Sequence, residues 1–171
     1  MNGQSDNEQF ARLIIALEPW LDQVVIIGGW AHRLYWLHPS AQRTEHLPLT
    51  TLDTDIAVPT SLKATNSTIR ERLIAHGFEE ERLGDNIPPA THYRLGDANT
   101  GFYAEFLTPL FGLEHGRDGK LKATRRIAGV VSQQLRHLEI LLLAPWSVNL
   151  MRANGFPVQK PMPVRIANPA S

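Results

Sequence analysis

Apolar and polar positions alternate in two different rhythms along this chain. Phe10, Leu13, Ile14 and Leu17 recur at helical spacing, which predicts an amphipathic helix over residues 7–21, with Asp6 or Asn7 as its cap and Pro19 near its end. Val24-Val25-Ile26-Ile27 is a short apolar run of the kind that forms a buried strand; it breaks at Gly28-Gly29, and Trp30 to Leu37 resumes as a helix closing at His38-Pro39. Residues 38–51 are polar and proline-bearing and read as a loop. The rhythm then changes to a period of two. Leu52, Thr54, Ile56 and Val58 share one face of an extended strand, and Asp53, Asp55 and Ala57 share the other.

Further along, Ile69, Leu73 and Ile74 mark a second helix over residues 65–76, stopped by Gly77. Phe78 to Leu83 reads as a polar strand. Residues 91–95 and 101–107 form a hairpin across a turn-rich connection. Within its second arm, Glu105 stands alone in the apolar run Phe102-Tyr103-Ala104-Glu105-Phe106-Leu107. A glycine-rich charged loop (112–119) leads to the basic stretch 120–126. Arg136 to Leu143 is an apolar strand or short helix, and Pro163 to Ala167 a last strand. Residues 1–145 are therefore expected to form one domain, and 146–171 an extended C-terminal arm. Asn168-Pro169 has the form of a helix start immediately before Ser171. This raises the expectation of a further helical region beyond the arm. The fold class expected is α/β (α+β), a mixed sheet flanked by helices.

Composition narrows the field. The chain has 171 residues, 43% hydrophobic and 20% charged, with 17 basic and 17 acidic side chains. Zero net charge gives no bulk argument for a nucleic-acid or membrane surface. No apolar run reaches a membrane-spanning length. Cysteine is absent, which removes disulfides and thiolate metal sites, and the polar N-terminus is unlike a signal peptide. A cytoplasmic protein is expected. His32, His38 and His92 have no H-x-x-x-H or H-E-x-x-H spacing, so zinc is not expected.

The chemistry concentrates at three places. Asp53 and Asp55 lie on one strand face, about 6–7 Å apart at about 3.3 Å per residue. Two such carboxylates repel unless a divalent cation separates them, and hard oxygen ligands suit Mg²⁺ or Mn²⁺; a solvent-facing acidic strand edge is the plain alternative. Gly28-Gly29, at a strand-to-helix turn, lets a phosphate approach backbone N–H groups, or is simply a tight turn. Glu105 is either a third carboxylate of the same site or half of a salt bridge, with Arg94 the nearest partner. Arg43, in the loop, could reach a phosphate or be solvated. His92 and Arg94 alternate onto one face of their strand, and that face is a candidate border of the groove.

Three motifs in this order resemble the nucleotidyltransferase superfamily with the DNA polymerase β-like palm, and especially its small bacterial toxin–antitoxin and abortive-infection members. The residues are Ile27-Gly28-Gly29-Trp30-Ala31, Thr51-Leu52-Asp53-Thr54-Asp55-Ile56 and Ala104-Glu105-Phe106-Leu107-Thr108-Pro109. The resemblance implies a metal-dependent nucleotidyltransferase. Asp53, Asp55 and Glu105 would be its catalytic and metal-holding residues, with Mg²⁺ (or Mn²⁺) as cofactor. Gly28, Gly29, Trp30, Thr51 and Arg43 would contact a bound NTP. Glu105 would take the proton from the attacking hydroxyl of tRNA, a protein or a small molecule. A partner protein is also compatible with the resemblance. The alternative is a non-catalytic nucleotide-binding or protein-interaction module on the same fold.

Overall fold

The computed structural model describes residues 3–42, 45–46, 51–96 and 101–170. Arg43 and the turn at 97–100 lie outside the described residues. The elements in chain order are α1 (Gly3–Ala16), β1 (Val25–Ile27), α2 (Gly28–Leu34), β2 (Asp53–Ala57), α3 (Ile69–Ala75), β3 (Phe78–Leu83), β4 (Ala90–Leu95), β5 (Tyr103–Pro109), β6 (Thr124–Ile127), β7 (Val130–Leu135), β8 (Trp146–Leu150) and β9 (Met162–Ile166). Short 3₁₀ turns follow α1 and α2 and precede β8.

The strands make one mixed sheet in the order β3-β4-β5-β2-β1-β9-β8, with β7 also pairing parallel to β5 and β6 pairing back on β7. At its centre β2 runs antiparallel to β1 and parallel to β5. This is the mixed sheet with flanking helices that the residue pattern predicts.

The two faces of the sheet differ because its strands alternate. Thr54, Ile56, Tyr93, Ala104 and Phe106 turn to the side covered by α1, α2 and α3, where Phe10, Leu13, Ile14, Leu17, Trp30, Ile69 and Leu73 are fully buried with them. Burial of each such side chain stabilises the fold by about 1.5–3 kcal/mol. The opposite face carries Asp53, Asp55, Tyr103 and Glu105. It continues into a small apolar pad of Val25, Ile27, Ala57, Leu107 and Leu138.

Several boundaries differ from expectation for local reasons. Asp6 and Asn7 lie inside α1 and do not cap it. Asp6 faces Arg33 of α2 at 3.6 Å, while Asn7 accepts from Arg33 at 2.7 Å and donates to the Gly155 carbonyl. Helix α3 starts at Ile69, not near Thr65, because Thr68 and Glu71 close a reciprocal capping box there. The apolar run after Arg136 is a 3₁₀ turn over Leu138–Leu142 that covers the apolar pad.

The expected arm is corrected most. Residues 146–166 form the β8–β9 hairpin, and β9 lies parallel beside β1, with Ile166 opposite Ile26. Val148, Leu150, Met162, Val164 and Ile166 are buried in the main core. An amphipathic alternation that buries one face has nowhere better to go than the open edge of β1. Asn168 accepts a hydrogen bond from the Ala170 amide and donates one to the Ala144 carbonyl. Among the described residues, no helix is long and apolar enough to cross a membrane.

Candidate functional site

Strand register decides which acidic groups meet. Parallel pairing of β2 with β5 sets Asp55 opposite Glu105 and Asp53 opposite Tyr103. Neighbouring strands lie about 4.8 Å apart, and directly opposed side chains point the same way. Asp53, Asp55 and Glu105 therefore converge on one patch of the sheet, although fifty residues separate the first pair from the third.

The glycine turn closes this patch from the other side. Ile27 is opposite Asp55 in the β1–β2 pair, so Gly28 begins where the Asp55 side chain ends. Gly28 has φ +68°, and a Cβ there would lie 2.7 Å from Asp55 Oδ2. A Cβ on Gly29 would meet the Thr51 methyl at 2.5 Å. Gly28 is favoured by its positive φ, and a Cβ at either position would push a neighbouring side chain, Asp55 or Thr51, aside; the two glycines leave bare backbone beside the carboxylates.

Each acid is held differently. The Thr51 hydroxyl donates to Asp53. Glu105 is contacted on Oε1 by His92 Nε2, and on Oε2 by Gln133 Nε2 at 3.3 Å. Among the described residues no side-chain hydrogen bond reaches Asp55. Burial raises the Asp55 carboxyl from 3.8 to about 6, and the negative charges of Asp53 and Glu105 push it the same way. Tyr103, on the same face, is raised by burial and by all three carboxylates. A shared field of this kind is what three converging acids produce, and it favours a cation between them. The donor set is all hard oxygen, which fits Mg²⁺ or Mn²⁺. Among the described residues no three His, Cys, Asp or Glu side chains stand close enough together, as they are turned here, to hold a metal ion; Asp53 is turned to Thr51, and Glu105 to His92 and Gln133, so a cation at this patch requires these side chains to turn toward it.

The other expected site residues fall in different places. Thr51 is at the patch, through Asp53. Trp30 is not: its indole is fully buried on the helix-covered side, stacked on Phe10 at 4.0 Å, with Arg33 over its ring. Only its backbone, in the first turn of α2, is near Gly28. Arg94 is not the partner of Glu105. It pairs with Glu81 on β3 and lies over the Tyr103 ring. His92 takes that place because the β4–β5 register, Tyr93 opposite Ala104, puts His92 opposite Glu105. Counting back along the predicted hairpin sets Leu95 opposite Gly101 and His92 opposite Ala104; the observed register is shifted by one residue, which brings His92 to Glu105. Gln133 had no comparable signal, since β7 reaches β5 by a long parallel connection.

This combination defines a class: a mixed-sheet fold with a strand–glycine–glycine–helix turn facing two alternating aspartates and a third carboxylate on the adjacent strand. A family model described as nucleotidyltransferase matches residues 6–170, and the chain belongs to that nucleotidyltransferase family. No match is found among curated proteins or among solved structures. Membership supports nucleotidyl transfer as the general function.

Proposed function

We propose that this protein transfers a nucleotidyl group from an NTP to a hydroxyl acceptor on tRNA, a protein or a small molecule, the acceptor oxygen bonding to the α-phosphorus as pyrophosphate leaves, with Mg²⁺ or Mn²⁺ as cofactor. The observation that carries the reading is the convergence of Asp53, Asp55 and Glu105 beside the side-chain-free Gly28. Asp53 and Asp55 would hold the cation, and Glu105 would complete the set. A bound divalent cation supplies positive charge to the entering and leaving oxygens of an in-line displacement. The chain's own residues do the rest. Thr51 fixes the orientation of Asp53. The backbone of Gly28 and Gly29 admits the triphosphate without a Cβ in its way. Glu105 accepts the proton of the attacking hydroxyl, for which a carboxylate within hydrogen-bond reach suffices. Holding the reacting groups in line lowers the barrier further.

Incubation with α-labelled NTPs, Mg²⁺ and cell extract tests this. Label is expected in an extract component with the wild-type chain and not with Asp53→Asn plus Asp55→Asn. Transfer that survives the double substitution, or no transfer by the wild type, removes the enzymatic reading. Nucleotide-dependent thermal stabilisation without transfer would point to a binding module instead.

A further inference from the structure

Of the three carboxylates, Glu105 is the one gripped on both oxygens among the described residues, by His92 and by Gln133. The His92 and Glu105 side chains are only 16% and 19% exposed, so little water competes for the contact. The imidazole is itself fixed. It lies flat on the Tyr103 ring, with centroids 4.3 Å apart and planes 14° apart, and Tyr103 precedes Glu105 by two positions on the same strand face. The second ring nitrogen, Nδ1, is buried with no hydrogen-bond partner. Among the described residues, Glu105 is therefore the sole polar partner of His92. An unpaired buried nitrogen costs stability, and an apolar ring would stack on Tyr103 without that cost. Packing alone gives no reason for histidine here.

We propose that His92 is a positioning residue: together with Gln133 it holds the Glu105 carboxylate at the patch and limits the turn it makes to meet the cation and the attacking hydroxyl. A carboxylate offers about four lone-pair sites. His92 and Gln133 occupy one on each oxygen, which limits rotation and leaves the others free. This inference rests on the reading of Glu105 given above. Hydrogen-bonded supports of this kind typically change metal affinity or activity by about 10–100-fold when removed.

The test is Mn²⁺ titration of the full chain by electron paramagnetic resonance, with the melting temperature measured for each variant. His92→Ala is expected to weaken Mn²⁺ binding by about 10–100-fold while the fold still melts cooperatively within a few degrees of wild type. His92→Gln, whose amide N–H can reach the same oxygen, is expected to recover most of that loss. Where transfer is measurable, kcat falls in His92→Ala more than KM for NTP rises. Wild-type Mn²⁺ affinity in His92→Ala, with Asp55→Asn devoid of binding, overturns the positioning role and leaves the transferase reading standing. Loss of affinity that His92→Gln does not restore, accompanied by a collapse of the melting temperature, also overturns it, in favour of a structural role. Absence of Mn²⁺ binding by the wild type, or its persistence in Asp55→Asn, brings down the transferase reading and the inference with it.

Discussion

Asp55 is the residue whose environment works hardest against it. Its carboxyl titrates at about 6 in the folded chain, first because it is partly buried and then because Asp53 and Glu105 face it. An unfolded aspartate titrates near 4. Between those values the folded state binds the proton and the unfolded state does not, so stability falls as pH rises through this window and levels off above about 6. Discounted for the water that reaches a half-exposed group, the loss is on the order of 1 kcal/mol. Asp55→Asn is therefore expected to raise the melting temperature of the metal-free protein by about 2–4 °C at pH 7.5, and to leave it unchanged below pH 4; calorimetry at the two pH values checks both. Unchanged stability at pH 7.5 would mean that neither burial nor the neighbouring acids disfavour the Asp55 charge. The alternation of Asp53 and Asp55 was legible from spacing alone, and so was the isolation of Glu105. The partner of Glu105 was not: Arg94 carries the full charge, but register, not charge, chose His92.

Among the elements, the turn from β1 into α2 has the least freedom. Its positive φ and the 2.7 Å approach to Asp55 both act at Gly28. Gly28→Ala is expected to cost about 1–3 kcal/mol of backbone strain and to displace Asp55, weakening Mn²⁺ binding. Gly77→Ala is the matched control, since Gly77 has φ +88° but its nearest neighbours are Arg12 and Leu95 at 3.7 Å or beyond. It should lower the melting temperature comparably and leave Mn²⁺ affinity intact. Equal effects of the two substitutions on binding would remove Gly28 from the site. The helices and β1 to β5 were readable because their apolar periods are long or bracketed by glycine and proline. The β6–β7 hairpin was not, because β6 is four residues with two arginines at its middle, β7 turns polar after Val130-Val131, and the turn, Ala128-Gly129, relies on positive φ at an alanine as well as a glycine. The apolar run before Pro145 has no period that separates strand from turn, and it became a cover for the pad beneath the acids.

At the scale of the whole molecule, the unforeseen feature is the return of the last residues to the sheet. Parallel pairing of β9 with β1 joins positions 140 residues apart, and nothing local in the sequence announces such a partner. Its consequence is that β1, which ends at the glycine turn, is an interior strand and rigidly placed. Ile166→Ala, deep in this seam at 1% exposure, is expected to cost about 2–5 kcal/mol and to lower the melting temperature by roughly 5–15 °C; a peripheral arm would tolerate it with a shift within error. The site is thus assembled from three non-local pairings, β1 with β2, β2 with β5 and β1 with β9, which bring far-apart residues to one patch. The most direct measurement is anomalous diffraction from crystals soaked with Mn²⁺ and a non-hydrolysable NTP. A peak is expected in contact with carboxylate oxygens of Asp53 and Asp55, on the face shared by Glu105, with the triphosphate beside Gly28. Density for Mn²⁺ and nucleotide elsewhere, or none at saturating concentrations of both, would contradict a cation seat at the three acids.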